Sequence, residues 1–94
     1  MREALPTPTG FDYVRAEMAA WTGIMVEFMP PSDYTESALE TCEMLSRMDD
    51  ATFRLTVIRE QAWYDGIDWE DARGEAARDT YRHLWDVMER KGLL

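Results

Sequence analysis

Ninety-four residues fit a single domain, 1–94, and a hydrophobic share of 46% with four Trp, four Tyr, three Phe and seven Met supports a compact core rather than a disordered tail. Ten basic residues against 19 acidic ones leave a net charge of −9. That balance excludes simple gripping of nucleic acid, because neutralising phosphates takes Lys and Arg, and it disfavours anionic membrane surfaces.

No apolar run approaches the length of a membrane span, and MREALPTPTG lacks the apolar region of an export signal, so the chain reads as soluble and cytoplasmic. The single Cys42 has no second cysteine to pair with. It lies within a helical pattern, which predicts a buried structural thiol.

After a lead containing Pro6 and Pro8, Thr9 is placed to cap a first helix near 10–28. Phe11, Val14, Met18, Trp21, Met25 and Phe28 recur at steps of 3, 4, 3, 4 and 3, a heptad-like apolar seam. Gly23 weakens this helix by about 1 kcal/mol relative to Ala. A strand near 23–29 is the alternative, but it accounts for only Ile24, Val26 and Phe28.

Pro30 and Pro31 stop the first helix. A second helix near 33–48 follows, with Ser32 or Asp33 as N-cap and Glu36 three residues after Asp33. Ala38, Cys42 and Leu45 form its apolar side, flanked by Leu39 and Met48. Asp49 or Asp50 caps a third helix near 51–64, whose expected inward stripe is Ala51, Leu55, Ile58 and Ala62, with Phe53, Val57 and Tyr64 beside it. The β-branched alternation through Phe53, Leu55 and Val57 keeps a strand near 52–58 as the alternative.

Asp65-Gly66 is a turn signal, and Asp68 is the expected N-cap of a fourth helix near 68–91. Ala77, Tyr81, Leu84 and Met88 should face inward, and Gly92 should end the helix. Four helices with short connections predict an all-α four-helix bundle; α+β is the alternative if either strand reading holds.

The stretch 62–79 holds six carboxylates and invites a metal reading. An EF-hand loop with Gly66 at its sixth position would put Gln61 and Trp63 at the first and third, so the loop fails. His83 is the only histidine, which with Cys42 is too few ligands for a structural zinc. Glu40 and Glu43 beside Cys42 should raise its thiol pKa, against a nucleophilic role. No phosphate loop or nucleophile elbow is present, so neither an enzyme nor a cofactor is implied. The third and fourth helices outline a helix-turn-helix, but the recognition position would present Asp68, Glu70, Asp71 and Glu75 to phosphates.

The negative charge is unevenly placed. Residues 31–50 carry a net −5, more than half of the total, in twenty positions. The fourth helix pairs its acids along itself: Asp86 with Arg90, Glu75 with Arg78, Asp79 with Arg82. The second helix shows no such compensation for Glu36, Glu40 and Glu43, which follow one face, and Asp49 and Asp50 extend that acidity. A solvated face explains such a ridge, and so does a row of carboxylates standing in for phosphates. Trp63 and Trp69 bracket the Asp65-Gly66 turn, as a lid over the bundle or as contact anchors. The expected partner-binding set is therefore Asp33, Glu36, Glu40, Glu43, Asp49, Asp50, Trp63 and Trp69.

In general character the chain resembles the small, acidic, cofactor-free proteins with which phages and mobile elements block host defence enzymes, anti-CRISPR proteins among them. The resemblance rests on size and charge. It implies a non-enzymatic inhibitor that occupies the basic nucleic-acid-binding surface of a partner complex, with no direct hold on nucleic acid or membrane. The other expectation is an assembly or adaptor protein that pairs as a homodimer through the apolar seam.

Overall fold

The structure, a computed structural model, describes residues 10–94; the expected cap at Thr9 lies outside them. Four helices follow in order: α1 (Gly10–Phe28), α2 (Asp33–Ser46), α3 (Asp50–Asp65) and α4 (Ala72–Arg90). The fold is all-α: where a strand near 23–29 or 52–58 was the alternative, helix occupies 23–28 and all of 52–58. The residues Ile24, Val26 and Phe28, which carried the first strand reading, are exposed on α1.

Helix α4 is the central element, and each of the other three packs against it. Leu93, just past its end, packs on Gly10, and Trp21 faces His83, so α1 runs antiparallel to α4. Helix α3 also runs antiparallel, since Tyr64 stacks on Tyr81 while Arg54 reaches the Leu93 carbonyl. The inward face of α4 is as its spacing predicts, with Ala77, Tyr81, Leu84 and Met88 all buried, joined by Ala76 and Val87. Gly92 ends the helix with φ 71°, a left-handed conformation suited to glycine. The Gly92 and Leu93 amides donate back to Glu89 and Met88, closing a Schellman turn.

The α1 seam points inward at Val14, Met18 and Met25, with Phe11 and Trp21 half-buried. It stops at Phe28, which is 73% exposed where α1 runs out beyond the core. Ser32 is the N-cap of α2, its hydroxyl accepting from the Thr35 amide. Glu36 therefore lies one residue too late for a capping box with it.

Two expectations need correction. The buried side of α3 is Phe53, Thr56 and Val57, while Leu55 is 61% exposed and Ala51 and Ala62 face solvent. The expected stripe held two alanines, whose burial contributes little. Rotating the helix buries Phe53 instead and stacks Tyr64 on Tyr81. Helix α4 starts at Ala72 with Asp71 as its cap, not at Asp68, because Trp69 is needed elsewhere: its indole N–H donates to the Tyr64 carbonyl and its ring lies over Gly74. A residue on the first turn of a continuous helix could not fold back over that helix five positions later.

Candidate protein-docking surface

The expected binding set separates in space. Asp49 and Asp50 stand where α2 meets α3. Asp49 caps α3, and the Thr52 amide and hydroxyl hold its carboxyl below the usual range. Asp50 accepts from Arg15 at 3.1 Å. Both acids have structural work to do at the end of the bundle away from the tryptophans.

The α2 ridge is compensated after all. Arg73, from the first turn of α4, forms an ion pair with Glu40 and lies 3.9 Å from Glu36, while Arg47 pairs with Glu43 at 2.6 Å. The Ser37 hydroxyl donates to the Arg73 carbonyl, fixing that arginine's backbone against α2. Pairings along α4 are also partly redirected. Glu75–Arg78 and Asp86–Arg90 form as spaced, but Arg82 turns to Asp65, and Asp79 takes Arg78 and the Tyr34 hydroxyl, which donates at 2.6 Å. The cleft of about 490 Å³ between α3 and α4 thus brings Asp65, Asp79 and Asp86 together, each already held by an arginine.

Trp63, Tyr64, Trp69 and Tyr81 form one aromatic cluster. Trp63 meets Tyr64 at 4.8 Å and Trp69 at 5.8 Å between ring centroids, and Tyr64 stacks on Tyr81 at 5.6 Å. Trp69 and Tyr64 close the end of the core, as a lid does. Trp63 remains 55% exposed on its outer side.

Most of the unmatched charge lies at the tryptophan end, although exposed Glu17 in the middle of α1 and Glu89 in the last turn of α4 also form no ion pair among the described residues. Every Arg and Lys among the described residues is engaged inside the molecule, by a carboxylate or, for Arg54 and Lys91, by the Leu93 carbonyl and the Tyr13 ring. Glu27, Asp33, Asp68 and Glu70 are exposed and have no basic partner among those residues. All four belong to the last turn of α1, the start of α2 or the α3–α4 connection, which the Arg73 contacts to α2 place at one end. Exposed Phe28 and Trp63 stand at that same end. Of the expected set, Asp33, Trp63 and Trp69 therefore lie at the same end of the bundle. Glu27, Phe28, Asp68 and Glu70 were missed as a group because their proximity comes from the bundle's topology, not from sequence spacing.

Burial holds the Cys42 thiol above its ordinary pKa; the neighbouring glutamates are not the cause. Burial likewise raises Tyr34, Tyr64 and Tyr81, helped at Tyr34 by the hydrogen bond to Asp79 and at the other two by the charge of Glu60. An acid whose pKa is higher in the folded state favours folding fully below its unfolded value and loses that contribution as pH rises. For tyrosine the loss begins near pH ~10, with Cys42 adding to it from about 8.5. The melting temperature should therefore fall between about pH 9 and 11 as phenolate absorbance grows. A melting temperature that stays level across this range would contradict the assignment.

Among the described residues no group of three or more His, Cys, Asp or Glu is placed to hold a metal ion, and no helix is long and apolar enough to cross a membrane. Comparison of the chain with protein-family models, curated protein sequences and solved structures finds no match.

Proposed function

We propose that this chain is a non-enzymatic binding protein that docks its acidic, aromatic end on a basic surface of a nucleic-acid-handling complex and inhibits it, in the manner of anti-CRISPR proteins. One observation carries the reading. The molecule engages all its described cations internally and leaves Glu27, Asp33, Asp68 and Glu70 unmatched at the same end as exposed Phe28 and Trp63. Carboxylates without internal partners steer a basic surface inward, and large rings at the same place supply the area that holds it. The apolar seam of α1 is buried at Val14, Met18 and Met25 and half-buried at Phe11 and Trp21, which leaves Phe28 as its one exposed position for pairing two copies.

The α2 ridge is a poor place to test charge, because lysines at 36, 40 and 43 would face Arg73 and Arg47 and disturb the fold. The triple variant Glu27→Lys, Asp68→Lys, Glu70→Lys strips no partner and leaves Asp33 in the first turn of α2. Target-DNA binding by purified CRISPR surveillance complexes, titrated with the wild-type protein, should be inhibited. The triple variant should need at least about tenfold more protein, and raising salt from about 50 to 300 mM should weaken the wild type similarly. Equal potency of variant and wild type, or no effect on any such complex, would overturn the reading.

A further inference from the structure

Trp63 sits in the last turn of α3 with 55% of its surface open, although the buried side of that helix is made by Phe53, Thr56 and Val57. Core packing does not call for a side chain of this size there. Part of the ring meets Tyr64 and Trp69, at 4.8 and 5.8 Å between centroids, and the rest faces solvent. Asp68 and Glu70 flank that same Trp69 in the chain, are exposed, and form no ion pair among the described residues. Trp69 is tethered through its indole N–H to the Tyr64 carbonyl at 2.9 Å, with its ring over Gly74, so the two carboxylates ride on a fixed segment.

The neighbouring charges are already spent. Arg59, one turn before Trp63, pairs with Glu60 at 3.2 Å, and Asp65 takes Arg82. Asp71 accepts from the Arg73 amide at 2.9 Å as the cap of α4. Residues 60–72 hold five acids and no base, so the field around the open ring is negative.

We propose that the connection from Trp63 to Glu70 takes an arginine-rich segment of a protein partner and selects arginine over lysine. Charge alone does not separate the two. A guanidinium is flat, stacks on an indole face and meets a carboxylate with two parallel hydrogen bonds, whereas an ammonium is a strongly hydrated point charge. The molecule already uses such a contact for itself, with the Arg15 guanidinium 4.9 Å from the Phe53 centroid. In an extended segment, residues i and i+2 project to one side about 7 Å apart, so one arginine can cover Trp63 while the next meets Asp68 or Glu70. A nucleic-acid strand is the wrong occupant, because its bases would stack but its phosphates would face the carboxylates.

This inference rests on the reading of the chain as a binder of basic proteins, and it does not depend on which complex is inhibited. Its test uses two short synthetic peptides of equal charge, one alternating arginine with glycine and the other lysine with glycine. By calorimetry at about 50 mM salt, the arginine peptide should bind the full chain at least about fivefold more tightly than the lysine peptide. Asp68→Asn with Glu70→Gln should weaken both peptides. Trp63→Leu should instead erase the difference between them while the circular dichroism melt holds. Shifts on adding the arginine peptide should centre on the Trp63 indole N–H and the amides of Asp68, Trp69 and Glu70, which decides the site even if Trp63→Leu proves unstable. Equal affinity for the two peptides, no binding of either, a preference for arginine that survives Trp63→Leu, or shifts centred away from 63–70 would each overturn the proposal. Failure here leaves the DNA-binding titration free to succeed through another part of the same end, and an arginine preference without inhibition of any complex would sink only that earlier reading.

Discussion

Replacing Phe53 with Ala is expected to cost about 3–5 kcal/mol, the range for truncating a fully buried aromatic side chain. Phe53 has no exposed surface and is the largest side chain buried so completely. Its ring takes the Phe11 edge at 6.2 Å and 79°, and the Arg15 guanidinium lies 4.9 Å from its centroid. That same guanidinium donates to the Met48 carbonyl at 2.7 Å and to Asp50. Phe53 is therefore the point at which α1, the α2–α3 connection and α3 are held together, and its loss leaves a cavity and loosens Arg15. A domain of this length has roughly 5–14 kcal/mol of total stability, so the variant should lose about a fifth of it or more. A urea midpoint shifted by the equivalent of less than 1 kcal/mol would show that α3 does not depend on this contact. Phe11→Ala should cost less, because Phe11 is only half-buried.

What the sequence revealed and what it hid follow from the range of the interactions involved. The α1 seam and the inward side of α4 were legible because each is a long amphipathic pattern whose answer lies within one helix. Helix α3 was less so. Its apolar residues cover much of its circumference, and the choice among possible faces was made by a ring stacking on Tyr81, seventeen positions away. The acidic ridge misled for the same reason. Arg73 lies 33 residues after Glu40, so a search for compensation along one helix could not find it. At the start of α4, three acids at 68, 70 and 71 offered more than one cap, and only the fold-back of Trp69 selects Asp71.

The charge distribution has a consequence for how binding surfaces are sought in acidic bundles. A carboxylate-rich helix attracts attention in sequence, yet here the packing of α4 supplies it with arginine. Most of the unmatched carboxylates lie instead at the ends of helices and in the connections, where helix-terminus electrostatics already favours acids at α2 and α4. Asp33 serves that local role while remaining open to solvent, so its charge is available to a partner at no additional cost in folding.

Gly74→Ala should destabilise the protein, although helix propensity alone predicts a gain of about 1 kcal/mol for that change within a helix. The reason is Trp69. A Cβ at position 74 would fall within the van der Waals envelope of its six-membered ring, at Cε3, Cζ3 and Cδ2. The ring is not the free end of a flexible chain: its N–H is tied to the Tyr64 carbonyl at 2.9 Å, and its faces meet Tyr64 and Trp63. Displacing it forfeits the hydrogen bond, about 0.5–1.5 kcal/mol, and aromatic contacts of similar size each, besides part of its burial. The expected balance is a net loss of about 2–3 kcal/mol, or roughly 10 °C or more in melting temperature for a domain of this length. Tryptophan emission should shift to the red as Trp69 swings into solvent. A double-mutant cycle isolates the cause, because with Trp69→Ala already in place nothing remains for the new methyl to strike. Gly74→Ala should then change sign and stabilise by about 1 kcal/mol. If it is equally destabilising in both backgrounds, the clash lies elsewhere, and the aromatic end is not organised around that glycine.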